Sequence, residues 1–272
     1  MANDKTAVAI KNETEIAQPI VMGGFEEFAG AGMETVTSDD VIVPRLTIIQ
    51  GLSPQLSKSK PEYIAGAKLG DIADVGMSET FPDGILFLPV MYKKVFLEWA
   101  PRASGKGLLN IHDDPAILDK CTRDDKNQPV LPNGSFISTT AQWFGMNMSA
   151  NGRRCFIGMA STQLKKSKKW LTLATSERLK RADGSEYQAP LFFRTYNLTT
   201  NEESNAQGSW YAWTINRAMA LPELDIGRPW QEVLRDASEF YRMLVAGEVK
   251  ADTTSLGGDV GETEIDDAET VM

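Results

Sequence analysis

The chain has 272 residues, with 28 Lys+Arg against 37 Asp+Glu and a formal net charge of −9. As a total, that charge argues against a nucleic-acid partner. The longest strictly apolar run, Ile85 to Tyr92, is far short of the roughly 18 residues of a membrane helix. The N-terminus carries Asp4, Lys5, Lys11 and Glu13 and lacks the apolar core of a secretory signal. Two cysteines and one histidine exclude a disulfide scaffold and leave little room for structural zinc.

In chain order, residues 1–40 mix Gly, Glu, Ala and Thr without periodicity and are expected to be an acidic, flexible segment. Val41 to Gln50 is β-branched and predicts a strand, with Pro44 placing it near an edge. Residues 61–83 are Gly-punctuated, with short extended pieces. Gly84 to Trp99 predicts a long strand interrupted at Pro89. Residues 101–134 predict a long loop region with a short helix at Pro115 to Lys120. Strands are predicted at Ser135 to Met148, at Arg153 to Gln163, and at Trp170 to Thr175 across a lysine-rich turn. Leu191 to Thr200 and Ser209 to Arg217 predict a hairpin. A helix is predicted near 229–246. Pro229 opens it, Trp230, Val233, Leu234, Ala237, Phe240, Tyr241, Leu244 and Val245 form its stripe, and Gly247 stops it. Residues 251–272 predict a disordered acidic tail. The expected fold is mainly β: an OB-like barrel or strongly curved antiparallel sheet with long loops and one late amphipathic helix, in one domain over 41–250.

Charge is partitioned along this layout. Residues 1–40 hold eight acids and two lysines, net −6, and residues 251–272 hold seven acids and no base, net −7. The body, 41–250, is therefore +4. Within it, residues 153–194 carry ten bases against three acids, net +7. The molecule is a basic body with two acidic ends.

Catalytic constellations are scarce. His112 is the lone histidine and reads as a solvated loop residue beside Asp113 and Asp114. Cys121 and Cys155 have no partner at metal-ligand spacing. Ser104-Gly105-Lys106-Gly107 lacks the glycine five residues upstream that a phosphate loop needs, since Ala100 stands there. No cofactor and no enzymatic activity are expected.

Strand alternation supplies the stronger signal. Cys155, Ile157 and Met159 suit a core, and Arg154 and Phe156 fall on the other face. Leu171 and Leu173 suit a core, leaving Trp170 opposite, directly after Lys165, Lys166, Lys168 and Lys169. Val95, Leu97 and Trp99 suit a core, leaving Tyr92, Lys94 and Phe96 opposite. Phe192, Arg194 and Tyr196 share a further face. Aromatics beside bases on one surface are what single-stranded nucleic acid requires, with cations on phosphates and rings on unpaired bases. Packing under a second layer is the competing explanation for each ring. The acidic tail, with Asp259, Glu262, Glu264, Asp266, Asp267 and Glu269 ending in Val271 and Met272, would compete with phosphates for that surface and recruit other proteins.

Ile42 to Leu56 (IVPRLTIIQGLSPQL), Phe87 to Arg102 (FLPVMYKKVFLEWAPR) and the acidic C-terminus resemble proteins of tailed bacteriophages, over roughly residues 40–250. Some of these are regarded as single-stranded DNA-binding proteins with an oligonucleotide/oligosaccharide-binding barrel. The resemblance implies single-stranded DNA as partner, replication or recombination proteins at the tail, action in the cytoplasm of an infected bacterium, and no membrane. The chain departs from the usual bacterial tail, which ends in a proline and an aromatic; here it ends Thr270-Val271-Met272. The rival expectations are a phage structural or assembly protein and, third, a metal-dependent nuclease or recombination enzyme. Oligomeric state is left open.

Overall fold

A computed structural model describes residues 31–32, 34–35, 42–101, 104, 106–206 and 208–251. Most of the first 40 residues and all of 252–272 therefore lie outside the described residues, and with them the expectations of flexible acidic ends.

The body opens with β1 (Ile42–Val43) and β2 (Arg45–Ile48), split by Pro44. β3 (Ile72–Asp74) and β4 (Glu79–Phe81) follow, then the long β5 (Ile85–Trp99). The next segment holds β6 (Leu108–His112), a 3-10 turn at Pro115–Lys120, β7 (Thr122–Arg123) and β8 (Pro129–Val130). β9 (Phe136–Asn147) and β10 (Arg153–Ala160) form a hairpin. Helix α1 (Gln163–Thr175) is followed by the small ribbon β11 (Arg178–Lys180) and β12 (Glu186–Gln188). β13 (Arg194–Asn205) and β14 (Gly208–Ala220) make the expected hairpin. Helix α2 (Trp230–Ala246) and β15 (Lys250–Ala251) end the described body.

The main sheet runs β14-β13-β5-β9-β10-β2-β3-β4, with β6 on the far half of β5. It is mainly antiparallel, but β10 and β2 pair parallel, so the sheet is mixed. It curls into a half-barrel. Pro44 therefore interrupts a strand that is internal to the sheet, and its carbonyl still accepts from the Phe156 N–H at 3.0 Å. Pro89 produces a register shift in β5 opposite Gly145. A side chain at Gly145 would meet the Leu88 carbonyl at 2.4 Å, so glycine is what lets the two strands approach there.

Inside the curl, Leu46, Ile72, Phe87, Trp143, Ile157, Tyr196, Leu198 and Trp213 converge from seven strands. Helix α1 closes this interior. Its Trp170 stacks on Trp143 with centroids 3.9 Å apart and meets Phe87 and Tyr196 edge-on. Ser167, the one non-lysine of the KKSKK run, turns inward and accepts from the Trp143 indole N–H at 2.8 Å. On the outer face, α2 lays Val233, Ala237, Phe240 and Leu244 against Leu86, Leu88, Phe144, Met146 and Phe156. The sheet is thus covered on both sides at β5, β9 and β10. α2 begins one residue after the predicted Pro229 and ends at Gly247, whose φ of +73° gives the left-handed cap.

The rim of the curl is closed by side chains. Gln50 donates through Nε2 to the Tyr211 carbonyl at 2.8 Å and accepts the Tyr211 N–H at 2.9 Å, as a neighbouring strand would. Two residues on, Gln163 accepts the Trp213 N–H at 3.3 Å and Lys166 donates to the Trp213 carbonyl at 2.9 Å. These side chains satisfy an edge that would otherwise offer itself to another chain.

One predicted element is replaced. Trp170 to Thr175 is the second half of a helix and not a strand, and Lys165 to Lys169 are helical and not a turn. Leu164, Ser167, Trp170, Leu171 and Ala174 recur at three- and four-residue spacing, and the segment from Gln163 to Leu171 holds no β-branched residue.

Candidate nucleic-acid interface

The rings expected to face a ligand are mostly core. Phe96 is 3%, Phe156 0%, Trp170 2% and Tyr196 1% exposed. Alternation does send Phe96 and Phe156 to the faces opposite Val95 and Ile157, but α2 covers Phe156, and Phe96 is buried too. Burial also pushes the Tyr196 hydroxyl above its ordinary titration range. Of the six tryptophans, Trp99, Trp143, Trp170 and Trp213 are buried and Trp210 and Trp230 half-buried.

The expected surface is moreover divided between two sides of the sheet. Tyr92 is half-buried on the α1 side, its ring edge-on to Trp143 at 5.0 Å, with exposed Lys94 further along the same strand face. Arg154 lies on the α2 side, bonding Glu239 at 3.1 Å and sitting over the Phe240 ring at 5.3 Å. Phe192 is in a 3-10 turn, not a strand, and packs toward α2, 6.3 Å from Tyr241. Arg194 is tied to Glu177 at 2.7 Å and to the Ala218 carbonyl at 2.9 Å. Lys166 is likewise engaged, with Glu203 at 2.5 Å.

What remains free is a stripe. Lys165, Lys168 and Lys169 lie at i, i+3 and i+4 on the outer face of α1, exposed and without an ion-pair partner among the described residues. The helix contains no acid at all. The stripe begins in the first turn, where a lysine opposes the macrodipole at a cost of a few tenths of a kcal/mol. Lys94 is also exposed and unpaired among the described residues. α2 offers nothing comparable, because its outer face mixes Glu232, Arg235, Asp236, Glu239 and Arg242, and Arg228 bonds Asp236 at 2.6 Å.

α1 leads directly into the β11–β12 ribbon. Glu177 anchors the base: its carboxylate takes Arg194 and, at 3.5 Å, Arg217, and its carbonyl accepts the Ala189 N–H at 3.1 Å. Beyond that anchor the ribbon carries exposed Arg178, Lys180, Arg181 and Tyr187. Composition shows these cations only as part of the +7 window. The Asp183-Gly184 turn signal between alternating residues is what marks them as a hairpin in the sequence.

His112 is not a free loop residue. It ends β6 and donates through Nε2 to Glu98 at 2.9 Å. Glu98 is buried and also accepts from Ser135 Oγ at 2.7 Å, Asn110 Nδ2 at 2.9 Å and Asn133 Nδ2 at 3.4 Å. These donors, Ser135 foremost, hold the carboxyl down at about 2. The knot fastens both ends of the 101–134 segment to β5. A carboxyl with a depressed folded-state pKa stabilises above its unfolded pKa, and that contribution is lost as pH falls from about 5 toward 2. Glu98→Gln is therefore expected to cost on the order of 2 kcal/mol at pH 7 and to flatten the acid limb of thermal stability, checked by melting curves across that pH range. An unchanged acid limb would remove Glu98 as its source.

Among the described residues, no group of three or more His, Cys, Asp or Glu gathers in a way that could hold a metal ion. Burial in the core raises the Cys155 thiol well above its ordinary range.

A family model described as "Pam3 phage gp34-like protein" matches residues 12–250. The chain belongs to that family. It is a phage protein, and the match covers nearly all of the described body, α1 stripe and ribbon included. No curated protein matches the chain. No solved structure matches it either. Among the described residues, no helix is long and apolar enough to cross a membrane.

Proposed function

We propose that this phage protein binds single-stranded DNA without sequence preference, with the lysine stripe of α1 tracking phosphates. The observation that carries the reading is the set of exposed lysines, Lys165, Lys168 and Lys169, unpaired among the described residues on an acid-free helix. A stripe of cations begun against the helix dipole weakens the free protein slightly and strengthens its grip on a polyanion. Lys94 extends the cationic surface on the same side of the sheet.

The acidic ends act as competitors for that surface. β1 and β15 pair in parallel, Ile42 with Lys250 and Val43 with Ala251, so the first and last strands of the body lie beside each other. Val43 and Val249 pack in the α2-side cluster, so this strand pair lies across the sheet from α1. Residues 252–272 span at most about 70 Å when extended. In the host cell the displaced tail would then be free to recruit replication or recombination proteins.

The test is a fluorescence-anisotropy titration of a labelled oligothymidine at low salt. Saturable binding is expected, and it tightens on deleting residues 252–272. A protein that ignores the oligonucleotide at low salt contradicts the reading and favours a role in assembly.

A further inference from the structure

We infer that Tyr187, with Arg181 against its ring, is the platform on which an unpaired base stacks, and that the β11–β12 ribbon is the arm presenting it. The inference rests on the single-strand reading above and goes beyond it by assigning the stacking group.

Stacking needs a ring that a base can reach. Among the described residues only two aromatics are exposed, Tyr187 at 36% and Tyr241 at 43%. Tyr241 lies on α2, across the sheet from the lysine stripe and among the mixed charges of that helix. Tyr187 lies on the ribbon that continues from the C-terminus of α1.

The ribbon is built to hold that ring still. Arg181 N–H donates to the Ser185 carbonyl at 2.8 Å, and Gly184 N–H donates to the Arg181 carbonyl at 3.0 Å. Gly184 has φ +82°, a conformation that favours glycine and closes a short hairpin loop. The Asp183 carboxylate accepts from Ser185 N at 2.8 Å and Ser185 Oγ at 2.6 Å, which also lowers its pKa. The tip acid is thereby occupied within the turn. Across the ladder, Lys180 stands opposite Glu186 and Leu179 opposite Tyr187. The Arg181 guanidinium carbon sits over the Tyr187 ring, 4.7 Å from its centroid, so one face of the ring already holds a cation. Arg178 is exposed at the ribbon's base, unpaired among the described residues, and follows the α1 lysines in the chain. Phosphates running along α1 would bring the following base to the ribbon. Rings accept any base, in keeping with binding that is not sequence-specific.

The experiment uses the full chain and two probes: a labelled oligothymidine, and the same backbone with abasic sites. Tyr187→Ala is expected to weaken oligothymidine binding about 5- to 100-fold while leaving its salt slope and its abasic affinity unchanged. Tyr187→Phe keeps the ring and is expected to bind like the wild type. Tyr187→Trp adds an exposed indole whose emission the oligothymidine quenches, a readout independent of any stability change. Equal binding by wild type and Tyr187→Ala, or unquenched emission from the Tyr187→Trp variant in a saturated complex, overturns the platform and leaves the phosphate reading standing. Failure of the wild type to bind either probe overturns both.

Discussion

Trp170→Ala is expected to lower the unfolding free energy by about 3–5 kcal/mol. The indole is buried, stacked on Trp143 at 3.9 Å, and flanked by Phe87 and Tyr196. Its loss opens a cavity where α1 meets the sheet interior, and partial collapse cannot refill a hole lined by other large rings. Chemical denaturation of the two proteins measures the difference. The comparison also separates packing from contact with ligand. A ligand-contacting Trp170 would leave stability nearly unchanged and lower affinity. The buried Trp170 lowers stability and leaves the affinity of the remaining folded fraction intact.

The triple replacement Lys165→Ala, Lys168→Ala, Lys169→Ala is expected to do the reverse. Each lysine that neutralises a phosphate contributes about 0.7 to the salt slope on a single strand, so the slope should fall by about 2. Affinity at low salt should fall by about 10- to 100-fold. Stability should hold or rise slightly, because alanine is the better helix former and the clash of Lys165 with the helix dipole is relieved. A variant that melts at or above the wild-type temperature yet binds more weakly is the signature of cations kept for a ligand. An unchanged slope would assign these lysines to solvation alone.

The late helix is plain in the sequence because its signals agree: Pro229, a long apolar stripe and Gly247 all mark the same segment. The curved sheet is plain in outline for a similar reason, since β-branched runs and turn residues recur through the body. Helix α1 is hidden by the shortness of its apolar window: Leu171 and Leu173 alternate as a strand would, and the inward turn of Ser167 is invisible without Trp143. The two-sided burial of β5 and β10 is hidden as well, because alternation assigns faces but does not say which of them a helix will cover. Rim closure depends on Gln50 meeting Tyr211 across 161 residues, a contact no local pattern announces. At the interface, the lysines are legible as charge but not as a surface. Arg154 and Arg194 fall in the same charged window, yet one packs on Phe240 and the other anchors Glu177. Tyr187 stands out only against the burial of most other rings and the placement of Tyr241 on α2, which the sequence does not display.

The measurement that bears most directly on the central claim is a salt titration of the full chain against single- and double-stranded DNA of one sequence and length. Tighter binding to the single strand is expected, with log affinity falling linearly in log salt at a slope near −0.7 per phosphate contacted. Equal affinity for both forms, or binding indifferent to salt, would contradict it.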